Sequence, residues 1–227
     1  MTPKLTRRSA LGIAAGALAA ASNAAAADDD AAIPVAVLID QRAAVIDFCG
    51  PWEALQDAQA DPNRFQLYTV APTADPIRVS GGMKIVPDFT LANAPAPKVI
   101  VIPAQQGSRQ VSATTGAKIE WLRAAQQHAD ITMSICTGAF LLARTGLLDG
   151  LTATTHHNYF DDFEHSFPQV HLLRDQRFID HGSIISTGGL TSGIDGALHV
   201  VERYYGRDTA RSTAAYMEYE SQRWITA

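Results

Sequence analysis

Ile131-Thr132-Met133-Ser134-Ile135-Cys136-Thr137-Gly138-Ala139-Phe140-Leu141-Leu142 carries a largely apolar run into a cysteine, then into small residues, then into a second apolar run. A short apolar stretch of this kind reads as a strand buried on both faces of a parallel sheet. The small residues after it allow a tight turn into a helix. The stretch therefore predicts a nucleophile elbow, in which a strand-to-helix turn lifts Cys136 to the top of the sheet above the N–H groups of the helix. A thiol so placed is expected to have its pKa depressed by the helix dipole. Read alone, the same stretch also fits a buried structural thiol.

Working outward, similar apolar runs occur at Ile33–Ile39, Phe65–Val70 and Lys98–Pro103. Helical spacing appears between them, at Pro51–Ala60 with the proline at its start and at Thr115–His128 through Ile119, Leu122 and Ala125. Strands alternating with helices predict an α/β fold with a mainly parallel sheet and a ligand site at the carboxyl ends of its strands. Arg78–Val86 and Val170–Thr187, broken by Gly81-Gly82 and His181-Gly182, read as antiparallel hairpins decorating that sheet. Thr191 or Ser192 caps a helix with apolar face Ile194, Ala197, Leu198, Val201 and Tyr205, which Gly206 ends. Thr209–Trp224 reads as a last surface helix.

The chain has 227 residues, 47% hydrophobic and 18% charged, a balance that suits one globular domain and excludes disordered and fibrous classes. Its net charge, 18 − 23 = −5, argues against a nucleic-acid partner. Residues 1–27 hold Lys4, Arg7 and Arg8 and no acid, so the remainder carries 15 − 23 = −8. Arg7-Arg8, the apolar run Leu11–Ala21 and Ala25-Ala26-Ala27 follow the order of a secretory signal, and the arginine pair points to the twin-arginine export route. The expected organisation is a cleaved signal over 1–27 and a single domain over 28–227, periplasmic and without stable membrane insertion.

Val45-Ile46-Asp47-Phe48-Cys49-Gly50-Pro51-Trp52-Glu53 puts an acid after the first strand, at the same sheet end as the elbow. Apolar neighbours raise a carboxyl pKa and suit Asp47 to proton transfer, although a turn or capping role before Pro51 fits equally well. Cys49, two residues from Asp47, stands as a small apolar residue or as a disulfide partner of Cys136 in an oxidising compartment. His157, Glu164 and His165 match no usual zinc spacing, and neither a phosphate-cradling glycine loop nor a metal-ligand pattern occurs. Asp195 falls in a helix first turn, where an acid complements the dipole. Tyr204-Tyr205, Trp121 and Trp224 read as packing aromatics.

Together, the elbow S-I-C-T-G-A-F-L-L-A, the loop D-F-C-G-P-W-E, A-T-T-H at 153–156 and T-S-G-I-D-G-A-L-H-V-V-E at 191–202 resemble the DJ-1/PfpI superfamily. The likeness is to its isonitrile hydratase-like branch and to the amidotransferase-like sensor domains of AraC-type regulators, and it spans roughly residues 33–206. It implies a flavodoxin-like three-layer sandwich, usually dimeric, with Cys136 as nucleophile and Asp47 as its acid. Thr137 matches the residue after the nucleophile, where the peptidase-like branch carries His. The resemblance implies oxyanion or binding roles for Thr137, Gln105 and Gly138, a place near the nucleophile for His156, and a pocket-lining place for Asp195.

The implied reaction is hydration of an isocyanide to an N-substituted formamide, with a small-molecule substrate and neither metal nor organic cofactor. Where the family carries Gly-Gly, this chain reads Pro103-Ala104-Gln105-Gln106-Gly107, which alters the loop that supplies an oxyanion N–H. Two other classes share the fold: a ligand sensor without catalysis, and a DJ-1-type glyoxalase or deglycase with an oxidisable thiol. Only three residues follow Trp224, so no DNA-binding half is expected in this sequence.

Overall fold

Apolar runs at Ile33, Phe65, Val99 and Ile131 become neighbouring strands because each needs both faces covered. In the computed structural model, which describes residues 31–225, the strands are β1 (Ile33–Leu38), β2 (Phe65–Ala71), β3 (Ile77–Arg78), β4 (Lys84–Ile85), β5 (Phe89–Thr90) and β6 (Val99–Ile102), followed by β7 (Ile131–Ser134), β8 (Thr152–Ala153), β9 (His171–Leu172), β10 (Phe178–Asp180) and β11 (Ile184–Thr187). The helices are α1 (Val45–Gln56), α2 (Thr115–Gln126), α3 (Gly138–Arg144), α4 (Phe160–Ser166), α5 (Ser192–Tyr205) and α6 (Arg207–Tyr216). The main sheet has the order β10-β11-β7-β6-β1-β2-β5, parallel except where β10 meets β11.

Alternation along the central strands divides the core in two. Val35 and Val37 with Val99 and Val101 face Leu55 of α1 and Leu198 and Val201 of α5. Leu38, Ile100 and Ile102 face Leu122 of α2 and Phe140 and Leu141 of α3. The result is a three-layer α/β sandwich, helices on both faces of the sheet. Full burial of each such Leu or Ile contributes roughly 1.5–3 kcal/mol of transfer free energy, before conformational entropy is set against it.

Three local expectations change. The first helix starts at Val45, and Pro51 lies inside it, leaving the Asp47 carbonyl without the N–H of residue i+4. Burial of Phe48, Ala54 and Leu55 against the sheet outweighs that loss, and Asp47 sits in the first helical turn rather than in a loop. The segment read as a decorating hairpin instead supplies β11, wholly buried beside β7 in the main sheet, with β10 as its antiparallel edge. The last helix ends at Tyr216, and Trp224, beyond it, is buried in the core. The export-signal reading falls on residues outside those described. No helix among the described residues is long and apolar enough to cross a membrane.

Candidate active site

The elbow forms at the end of β7 through three backbone hydrogen bonds and one from a side chain. Ile135 N–H donates to Ile102 O at 2.9 Å, Cys136 N–H to Gly188 O at 2.9 Å, and Gly138 N–H to Ile135 O at 2.8 Å. Thr155 Oγ1 donates to the Cys136 carbonyl at 2.7 Å. These bonds hold Cys136 at φ 55°, a left-handed conformation unfavourable for a residue with a Cβ. Gly138 is required by close approach: a Cβ there would lie 2.0 Å from Ile102 O. Its N–H being engaged at Ile135, Gly138 brings the helix onto β6 and offers no donor to a ligand.

Asp47, fully buried on α1, meets Cys136 across the end of β6, which lies between β1 and β7 in the sheet. Its Oδ2 accepts the Ala104 N–H at 3.0 Å, and the Leu190 N–H and the Cys136 thiol also bear on the carboxylate. Oδ1 has no hydrogen-bond partner, so the carboxylate keeps an unused acceptor. Burial pushes the Asp47 carboxyl up from 3.8 to about 6, opposed by these hydrogen bonds.

Burial and, next, the Asp47 charge push the Cys136 thiol up to about 12, against the lowering effect of the Thr137 and Leu190 N–H groups. This corrects the expected depression. The dipole of a seven-residue helix is outweighed by desolvation and an adjacent carboxylate. At neutral pH the resting pair is therefore a thiol beside a carboxylate.

Gln105 is committed to the scaffold: its Nε2 donates to Leu38 O at 3.0 Å and its N–H to Ser108 Oγ at 3.1 Å, leaving only Oε1 unpaired. The altered loop spends the Ala104 N–H on Asp47 and the Gln106 N–H on Gln41 O at 2.8 Å. Among the described residues, Gly107 keeps the one N–H of residues 104–107 without an acceptor.

His156 lines the same cavity as Cys136 and Thr137. Its Nδ1 accepts the Asn158 N–H at 3.1 Å, so a neutral ring carries its proton on Nε2, and burial lowers its pKa. A Cβ at Gly189 would come within 2.2 Å of this ring. The neighbouring His157 does not lie on an extended segment. The chain turns into a single 3-10 turn at 157–159, and the two imidazoles stack at 4.5 Å.

Asp195 is fully buried away from the cavity, accepting from Arg177 Nε at 2.5 Å, Tyr219 Oη at 3.2 Å and Ser221 Oγ at 3.3 Å. It ties α5 to the C-terminal segment, and the expected pocket role does not hold. Thr191 begins α5 without a side-chain cap, its Oγ1 accepting from Arg177 instead. Cys49 and Cys136 are both free thiols. Two residues along a helix are turned by about 200°, so Cys49 faces away from the side that carries Asp47. Among the described residues, no group of three or more His, Cys, Asp or Glu side chains is placed to hold a metal ion.

Two features escaped the sequence reading. One is Leu190, whose N–H serves both Asp47 and Cys136 and whose φ is 54°; Gly188-Gly189 before it was the available signal. The other is a buried ion pair, Lys118 Nζ to Asp40 Oδ2 at 2.8 Å, with Thr114 Oγ1 on the same oxygen at 2.7 Å. Lys118 also donates to Gln106 O at 2.5 Å and so fastens the 104–107 loop. A cavity of about 670 Å³ opens over this assembly, lined by Arg42, Gly107, Cys136, Thr137, His156 and Leu190 among others.

The chain is 28% identical to the isonitrile hydratase of Pseudomonas putida over 189 residues, 83% of this chain and 79% of that protein. It is equally 28% identical to the HTH-type transcriptional regulator GbdR of Pseudomonas aeruginosa over 156 residues, 69% of this chain but 42% of the regulator. The fold superposes on a ThiJ/PfpI family protein from Pseudomonas syringae with TM-score 0.73 and 24% identity, covering 84% of this chain and 76% of the other. Drosophila melanogaster DJ-1beta gives TM-score 0.70 at 16% identity, over 84% of this chain and 100% of that one. The DJ-1/PfpI family profile matches residues 34–203, which contain β1, the elbow, Asp47 and Cys136, and the chain belongs to that family.

Proposed function

We propose that the protein is a cysteine-dependent hydratase that converts an isocyanide and water to an N-substituted formamide. The observation that carries this reading is the Cys136 thiol set against the buried Asp47 carboxylate, under a cavity and beside the Thr137 and Leu190 N–H groups. The relationship to the isonitrile hydratase of Pseudomonas putida supports it.

Asp47 accepts the thiol proton as Sγ bonds to the terminal carbon of R–N≡C, and returns it to that carbon to give the thioimidate R–N=CH–S–Cys136. Water then adds to the same carbon while one of its protons goes, through Asp47, to nitrogen. The adduct R–NH–CH(OH)–S–Cys136 collapses to R–NH–CHO, and the hydroxyl proton restores the thiol. The Thr137 and Leu190 N–H groups stabilise charge on sulfur in the first and last steps. Neither metal nor organic cofactor enters this scheme.

The test is product formation by the purified protein from an alkyl isocyanide, with methylglyoxal and a peptide as the alternatives. Formamide that disappears in Cys136→Ala, by at least about a thousandfold in kcat/KM, supports the reading. Turnover retained in Cys136→Ala rules out every covalent version. The regulator relatives support a second reading, ligand sensing by the same cavity, for which binding without turnover is the expected result.

Two further parts of the proposal concern setting. Export to the periplasm is supported by Arg7-Arg8 and the apolar run after them; periplasmic protein beginning near Asp28, lost on Arg7→Lys with Arg8→Lys, is the expected outcome of fractionation and N-terminal sequencing. A homodimer is supported by exposed Ile46 on α1 and exposed Met83 and Val86 on the adjoining hairpin. Sedimentation of a monomer would remove it.

A further inference from the structure

Three of the four non-glycine residues with positive φ among those described, Arg42 (63°), Cys136 (55°) and Leu190 (54°), line the one cavity that contains the thiol. Such conformations are unfavourable for residues with a Cβ and persist where surrounding structure fixes them, commonly at ligand sites. The elbow explains Cys136, and the shared N–H explains Leu190. Arg42 has no such role in the scheme above.

Arg42 stands in the turn between β1 and α1, five residues before Asp47. Its N–H donates to Arg78 O at 2.8 Å, Ala43 N–H to Asp40 O at 3.1 Å, and Ala44 N–H to Ala104 O at 2.8 Å. The turn is thus pinned to the β3 segment on one side and to the loop after β6 on the other. The backbone of the turn is fixed beside the cavity, and the exposed Arg42 side chain at its tip lines it.

Among the side chains that line the cavity, Arg42 and Arg109 are charged and no Asp or Glu is, the Asp47 carboxylate lying buried beneath Cys136. Arg109 is already paired, its Nη2 lying 2.9 Å from Asp162 and its guanidinium 3.9 Å from the centre of the Tyr159 ring. Among the described residues, the Arg42 side chain has no hydrogen bond, ion pair or ring contact. A guanidinium presents parallel N–H donors that match a carboxylate, and its charge persists at every working pH.

We propose that Arg42 is the anion-binding residue of this cavity and that the substrate is a small molecule bearing a carboxylate. Resting on the hydratase reading, the substrate class is an isocyanide whose nitrogen substituent ends in a carboxylate, and the product is the corresponding N-formylamino acid. Cys136 takes the isocyanide carbon while Arg42 holds the far end of the molecule. Arg42 is then a specificity-determining residue and takes no part in bond making.

The test uses the full chain with isocyanoacetate and its uncharged ethyl ester as substrates, and N-formylglycine and its ethyl ester as calorimetric ligands. The wild type is expected to prefer the anion by about tenfold or more, in kcat/KM for the first pair and in Kd for the second. In Arg42→Gly, a change that relieves the left-handed backbone and so preserves folding, both preferences fall to about twofold or less. Arg42→Lys, which keeps the charge and loses the fork, retains part of each.

Failure of N-formylglycine to bind the wild type, absence of a preference for it over its ester, or survival of that preference in Arg42→Gly overturns the proposal. Failure of the hydratase reading gives a different pattern: neither isocyanide yields formamide, while the Arg42-dependent preference for N-formylglycine persists.

Discussion

At the residue scale, the proposed chemistry depends on Asp47 and its effect on Cys136. Folding raises the Asp47 pKa from 3.8 to about 6, so the folded state holds this proton more tightly than the unfolded chain does. The associated stability is present below pH 4 and is lost as pH rises through 6, a difference of order 3 kcal/mol, since each pKa unit corresponds to about 1.4 kcal/mol. Asp47→Asn carries no such dependence. Urea unfolding is therefore expected to show the variant gaining on the wild type by about 2–3 kcal/mol between pH 4 and 7, while its activity falls by about two to four orders of magnitude. A constant stability difference over that range would contradict a buried, ionising Asp47.

Cys136 was legible because a buried strand that runs straight into small residues must turn tightly, and the residue at that turn is the one the sheet presents at its end. The state of its thiol was not, because the sequence shows the helix after the cysteine but not the depth of burial or the carboxylate against the sulfur. Leu190 was illegible for a related reason. Its contribution is a backbone N–H, which every residue type except proline has, and only the φ of 54° aims it.

At the element scale, β1, β2, β6 and β7 and the helices α2 and α5 followed from hydrophobic period, whereas β11, which leads into the Leu190 loop, was read as part of a decorating hairpin. The first helix was misplaced because Pro51 is best tolerated in a first turn, and tertiary burial of the preceding turn overrides that preference. The pair Asp40–Lys118 joins the end of β1 to α2 across 78 positions, and no local pattern announces it. Both groups are buried, so removing one partner strands the other. Lys118→Met is expected to lower stability by about 3–5 kcal/mol in denaturant unfolding, and a second change, Asp40→Asn, to recover part of it. Because Lys118 also holds the Gln106 carbonyl, the single variant should loosen the loop that positions the Asp47-bound Ala104 N–H. A loss below about 1 kcal/mol would contradict this role.

At the scale of the whole molecule, a parallel sheet with its strand ends on one side gathers residues far apart in sequence. Asp47 comes from α1, Ala104 and Gly107 from the loop after β6, Cys136 from the elbow after β7, and Leu190 from the loop after β11. The sequence order of strands and helices was enough to anticipate that Asp47 and Cys136 meet at one end of the sheet, but not that β11 brings Leu190 to them. The neutralising of Arg109 by Asp162, which leaves Arg42 as the cavity's free cation among the described residues, depends on packing of α4 against the loop and could not be read from spacing.

The central claim, that Asp47 acts as carboxylate base toward a protonated Cys136, is tested most directly by the pH dependence of kcat/KM for formamide formation in the wild type and Asp47→Asn. Protonating Asp47 removes the base, so the wild-type rate is expected to rise about tenfold per pH unit below pH 6 and to level above it, with the variant low and without that inflection. A wild-type profile that is flat from pH 5 to 8, or that rises only in alkali as the thiol itself ionises, would contradict the claim.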